Sequence, residues 1–181
     1  MKTLATTLMI VALVAPAMAE DVTVENFVRA ESDHMIRANM KAFGVAIGKL
    51  THVREPITPD NQPVIRMNQD TLYSGTVLDL SKPVKITLPE VGGRYMSMHV
   101  VNQDHYMFVE SKPGTYTLNE DSVGTRFAMV SVRTFCDAAD PDDLAKAHAA
   151  QDKIELKGGG EGPFEAPVWD TENLAVARKA L

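Results

Sequence analysis

Short β-type runs separated by turn residues constrain the fold of this chain more than any other feature. The runs are rich in Val, Thr, Tyr, Met and Phe, and they span residues 75–80, 84–88, 94–101, 105–109, 115–118 and 126–135. Glycine or proline lies in the turns between them, as in Gly92-Gly93 and Lys112-Pro113-Gly114. In the second run Val84, Ile86 and Leu88 alternate with polar residues. The pattern predicts a mainly β protein with flanking helices (α+β), built as an antiparallel sheet or sandwich.

Helical patterns flank the β region on both sides. Apolar residues recur at helical spacing over residues 24–43, and Gly44 is suited to end that helix. Asp140 and Pro141 predict the start of a second helix that continues to about Ile154. Asp170 is expected to cap a last helix that runs to Leu181.

The chain therefore divides into four predicted segments. Residues 1–19 are a signal peptide, 20–50 an N-terminal helical segment, 51–137 the β-sandwich core, and 138–181 a C-terminal helical segment. A glycine-rich stretch over residues 157–163 is expected to be a flexible break in the last segment.

The N-terminus has the three parts of a secretory signal. Lys2 supplies the positive start, residues 8–14 are apolar, and Ala17-Met18-Ala19 fits a cleavage site. The apolar run is shorter than the roughly 20 residues that a membrane span needs. We expect cleavage after Ala19, a periplasmic or secreted location, and no membrane span in the mature protein.

Charge and composition exclude some classes of partner. The net charge is −6 at pH 7, and loss of Lys2 with the signal peptide makes the mature chain more acidic. An acidic chain without a basic run is not expected to bind nucleic acid. Cys136 is the only cysteine, and we interpret the ten methionines, including Met107, as packing residues rather than copper ligands. No metal site and no cofactor are predicted.

Polar side chains that could bind or react are densest between residues 66 and 109. Asn68, Asp70 and Tyr73 stand together at the entry to a predicted strand. In an enzyme, Asp70 would act as general acid or base and Tyr73 as proton donor. In a structural role, Asp70 or Asn68 would cap a turn and Tyr73 would pack its ring.

Two further pairs complete the candidate ligand-binding residues. Arg94, next to Tyr95, could hold a carboxylate, or it could pair with an acidic residue of this chain such as Asp79, Asp70 or Glu90. His99 and His105 would lie about 20 Å apart in one uninterrupted strand. They could approach each other only if residues 102–104 form a turn, for which Asn102-Gln103-Asp104 is suitable chemistry.

These motifs resemble the family known as domain of unknown function 1254. The resemblance covers about residues 24–178 and is most specific in Asn68–Ser74, Arg94-Tyr95 and Arg126–Ile154. It implies an immunoglobulin-like β-sandwich with flanking helices. In many relatives a second β domain, domain of unknown function 1214, follows, and this sequence ends where that companion would begin. The resemblance implies no reaction and no catalytic residues.

We therefore predict an exported protein that serves as a non-enzymatic binding or accessory domain. It would present Asn68, Asp70, Tyr73, Arg94 and Tyr95 to a small polar ligand or to a partner β domain. The alternative is a hydrolase or isomerase that uses Asp70, Tyr73 and His99. The two hypotheses differ in the arrangement that they require. Catalysis requires Asp70, Tyr73 and His99 to converge in one pocket, and binding does not.

Overall fold

Eight strands and four helices make up the part of the chain that is described. The computed structural model describes residues 19–62 and 66–181, so most of the predicted signal peptide lies outside the described residues. The strands are β1 (Thr51–His52), β2 (Thr71–Asp79), β3 (Val84–Leu88), β4 (Met96–Asn102), β5 (Met107–Glu110), β6 (Gly114–Leu118), β7 (Phe127–Phe135) and β8 (Glu155–Gly158). The helices are α1 (Phe27–Phe43), α2 (Glu120–Val123), α3 (Pro141–Gln151) and α4 (Thr171–Ala180).

The strands form two antiparallel sheets that share one core. The first has the order β1-β2-β7-β4-β5 and the second the order β6-β3-β8. One cluster of buried side chains joins them, with Val130 and Met98 from the first sheet and Ile86 and Leu118 from the second. The structure thus confirms a mainly antiparallel β protein with flanking helices. Its immunoglobulin-like character remains a prediction.

The residues of strand β7 alternate between the two faces of the five-stranded sheet. Ala128, Val130 and Val132 point into the shared core, as expected for every second residue of a strand. Phe127 and Met129 point to the opposite face, where they pack with Ile36 of α1. Helix α1 therefore covers the apolar half of this second face.

The turn between β4 and β5 fixes α1 to the sheet. Its residues contact the helix one after another: Gln103 bonds Asp33, Asp104 bonds Arg29, and the His105 ring bonds Ser32. The predicted turn at residues 102–104 is therefore present, and much of its polar chemistry holds the helix in place.

The segment after α3 differs from the prediction. The helix ends at Gln151 rather than near Ile154, and Glu155–Gly158 then pairs with β3 as strand β8. Beyond the strand, the backbone amides of Gly159 and Gly160 donate to carbonyl oxygens of Pro83 and Asp79. The first part of the glycine-rich stretch is therefore ordered by contacts that a flexible break would lack.

Candidate functional site

Five polar side chains lie on the second face of the five-stranded sheet, next to the half that α1 covers. Tyr73, Arg133 and Ser97 occupy one row across β2, β7 and β4. In the next row Ser131 and His99 are partners across β7 and β4. Cross-strand partners have Cβ atoms about 4.5–5.5 Å apart, so the five form one continuous surface. We call this surface, formed by Tyr73, Ser97, His99, Ser131 and Arg133, the polar floor.

Arg133 is the electrostatic centre of the polar floor. Its Nε atom is buried and has no hydrogen-bond partner among the described residues. A guanidinium group stays charged at physiological pH, and a buried donor without a partner costs free energy. Burial lowers the pKa of His99, and the nearby positive charge of Arg133 lowers it further. The polar floor therefore combines a cation that can accept an anionic partner with a histidine that favours its neutral form.

Two cavities adjoin the polar floor. One of about 110 Å³ is lined by Tyr73 and Ser131 together with Asn39, Phe43 and Met67. The other, of about 200 Å³, contains residues of the β4–β5 hairpin and of α1. Met129 lines both cavities, so both open along the same face of the sheet.

Asn68 and Asp70 lie apart from the polar floor. Both line a cleft beside Cys136 at the end of β7. The Asp70 side chain is exposed and makes no hydrogen bond to a described residue, while its backbone carbonyl accepts from the Cys136 amide. The backbone amide of Asn68 donates to the Tyr73 hydroxyl at 3.3 Å. Among the described contacts, the connection between this segment and the polar floor therefore runs through Tyr73.

Arg94 and Tyr95 lie at another cleft, where Arg94 already has a partner. Its guanidinium donates to both carboxylate oxygens of Asp143 and, at 2.6 Å, to the Phe135 carbonyl. The bonds from Arg94, together with one from the Asp137 backbone amide, lower the pKa of Asp143 below its usual range. The predicted ion pair thus exists, but its partner is Asp143 rather than Asp79, Asp70 or Glu90. A ligand of Arg94 would have to displace Asp143. Tyr95 is exposed beside it.

His99 and His105 do approach each other, because the turn at residues 102–104 reverses the chain. Both line the 200 Å³ cavity. The ring of His99 places Nε2 3.3 Å from Sδ of Met107, and Nδ1 of His105 lies 3.1 Å from the Ser32 hydroxyl. Counting only His, Cys, Asp and Glu, the described residues contain no group of three that could hold a metal ion.

Sequence reasoning missed Arg133 and Ser131. The signal that could have found them is the alternation in FAMVSVRTF, where the outward positions change from Phe127 and Met129 to Ser131 and Arg133. The change marks the edge of the helix-covered half of the sheet. It was hidden because the whole run is mostly apolar.

Comparison with known proteins places the chain in a family. The sequence profile of a family described as "Protein of unknown function (DUF1254)" matches residues 47–158. The chain belongs to this family. The matched range of this DUF1254 protein contains all eight described strands, and therefore both sheets and the polar floor. No curated protein matches the chain significantly.

A solved structure has a similar fold. The crystal structure of the VPA0106 protein from Vibrio parahaemolyticus is 17% identical to this DUF1254 chain, with a TM-score of 0.60. The alignment covers 81% of this chain and 41% of that one, so the chain spans less than half the length of that protein. At this identity the likeness supports the fold alone. Among the described helices, none has the length and apolar character to cross a membrane.

Proposed function

We propose that this domain is exported and binds a small carboxylate-bearing ligand on the polar floor without catalysing a reaction. The buried, unpartnered Nε of Arg133 carries the proposal. A guanidinium group matches a carboxylate in shape as well as charge, because its donors form a planar fork. Tyr73 and Ser131 add hydroxyl groups next to that fork. A small number of polar groups of this kind is what fixes the orientation of a small ligand in a binding site.

The geometry gives less support to the hydrolase or isomerase alternative. Asp70 lines the cleft beside Cys136, Tyr73 lines the 110 Å³ cavity, and His99 lines the 200 Å³ cavity. General acid–base catalysis requires such groups within hydrogen-bond reach of one substrate. Binding requires only the polar floor, so it is the simpler function for this arrangement.

Ligand binding is tested by calorimetric titration of the mature protein with succinate and with benzoate. We expect at least one of them to bind, and Arg133→Gln to weaken that binding by about 10- to 100-fold, since hydrogen bonds to charged groups are worth about 1.5–3 kcal/mol. Lys85→Gln is the control, because Lys85 is an exposed cation on the three-stranded sheet. Equal affinity of Arg133→Gln and wild type, or no binding of either carboxylate, would contradict the proposal.

Export is tested by the mass of the protein in the periplasmic fraction. Cleavage after Ala19 would make Glu20 the first residue. The Glu20 amide donates to the Val168 carbonyl, and its own carbonyl accepts from the Asp170 amide, so this end is held against the C-terminal segment. We expect the mature N-terminus to be Glu20. A chain expressed from residue 20 should have the same melting temperature as the protein purified from the periplasm. A protein that keeps Met1, or that stays in the cytoplasm, would refute export.

A further inference from the structure

The 200 Å³ cavity beside the polar floor collects soft metal ligands. The cavity is lined by two histidines and three methionines: His99, His105, Met35, Met107 and Met129. Two of the possible donor atoms, Nε2 of His99 and Sδ of Met107, are 3.3 Å apart. We propose that His99, His105 and Met107 form a binding site for Cu(I), with Met35 at its rim. The site shares His99 with the polar floor but binds a cation instead of a carboxylate, and it goes against the expectation from the sequence that the chain has no metal site.

The spacing of His99 and Met107 suits two ligands of one ion. Metal–nitrogen bonds are about 2.0 Å and metal–sulfur bonds about 2.3 Å, so two such donors around one ion lie about 3.5 Å apart. The antiparallel register produces this spacing, because His99 pairs with Val109 and Val101 pairs with Met107. His99 and Met107 are thus diagonal neighbours on the same face of the hairpin. The folded backbone sets this geometry in advance.

His105 is the proposed third ligand, because it lines the same cavity as His99 and Met107. Its Nδ1 lies 3.1 Å from the Ser32 hydroxyl, which leaves Nε2 for an ion. Metal-binding histidines commonly bond their second ring nitrogen to a neighbouring group in this way. His105 also has a φ of 64°, in the left-handed region that few residues with a side chain adopt.

The ligand types select the ion. Thioether sulfur and imidazole nitrogen together favour Cu(I), whereas magnesium and calcium require oxygen ligands. The nearby carboxylate of Asp104 is bonded to Arg29 at 2.8 Å. The structure also separates the methionines: Met96 and Met98 are buried in the core, but Met107 is 51% exposed. The interpretation of methionine as packing therefore fits Met96 and Met98 and does not fit Met107.

The test is an anaerobic titration of the mature protein with Cu(I) in competition with the chelator bicinchoninate. We expect the wild type to withdraw one equivalent of Cu(I). Met107→Leu and His99→Gln should each weaken binding by at least tenfold. Met107 is half exposed, so its replacement by leucine of similar size should leave the fold intact, as circular dichroism and the melting temperature would show.

Matched controls are Met67→Leu and His34→Gln, which change the same residue types outside the cavity. Both should bind Cu(I) like the wild type. X-ray absorption of the loaded protein should show both sulfur and nitrogen bound to copper. The proposal is refuted if the wild type does not compete with the chelator, if Met107→Leu and His99→Gln bind normally, or if no sulfur is bound to the copper.

Discussion

Replacing Asp33 with alanine should lower the free energy of unfolding by about 3 kcal/mol, because one buried donor and one partly buried donor would lose their acceptor. Asp33 is completely buried in α1. One carboxylate oxygen accepts from the Gln103 side chain at 2.7 Å, and the other accepts from the Trp169 indole at 3.0 Å. Urea unfolding of wild type and variant gives the difference directly.

The size of this effect follows from how much of the fold Asp33 connects. Gln103 also accepts from the Phe127 amide of β7, and Trp169 precedes the last helix. A single carboxylate therefore joins α1 to the β4–β5 turn, to the sheet and to the C-terminal segment. Because α1 forms one wall of both cavities, Asp33→Ala should also weaken the binding of any ligand that lies beside the helix.

Asp104→Ala is the matched control for Asp33→Ala. Asp104 also bonds from the β4–β5 turn to α1, but its partner Arg29 and its own side chain are 38% and 42% exposed. Exposed ion pairs contribute about 0–1 kcal/mol, so Asp104→Ala should change stability little. If Asp33→Ala and Asp104→Ala lowered the free energy of unfolding equally, the buried hydrogen bonds of Asp33 would not be what holds α1 in place.

Local patterns were sufficient to predict most elements of this fold. The six predicted runs correspond to strands β2 to β7, with β2 starting earlier than predicted, at Thr71. Gly44 ends α1 in the left-handed conformation with a φ of 63°. Strand β8 escaped prediction because Glu155-Leu156-Lys157-Gly158 has only one large apolar side chain. It is a strand because β3 offers an unpaired edge, which is a non-local cause.

The candidate site was predicted only in part, for the same reason. Polar density along the sequence selected Tyr73 and His99, which do belong to the polar floor. It also selected Asp70, which lies in another cleft, and Arg94, which is neutralised by Asp143 from α3. Arg133 became visible only once the register of β7 against β2 and β4 was known. Function on a sheet depends on neighbours across strands, and sequence spacing does not reveal them.

A second large loss of stability is expected for a substitution in the glycine-rich stretch, just after β8. Replacing Gly160 with alanine should lower the free energy of unfolding by about 2–3 kcal/mol, because the added methyl group overpacks a filled site. A Cβ atom at this position would lie 2.3 Å from Oδ2 of Asp79 and 2.6 Å from Oγ of Ser81. Asp79 is buried and bonded to Arg126 through both carboxylate oxygens, so it cannot move without breaking that pair.

Gly162→Ala separates this clash from a general effect of removing glycine. At Gly162 the new Cβ would lie 3.8 Å from Asp79 and 3.9 Å from Arg126, which is ordinary van der Waals contact. The free energy of unfolding of Gly162→Ala, measured in urea, should stay within about 0.5 kcal/mol of wild type or rise slightly, since alanine restricts the unfolded chain. If Gly160→Ala were as stable as Gly162→Ala, the segment after β8 would have to move freely away from Asp79. The flexible break predicted from its composition would then be the better description.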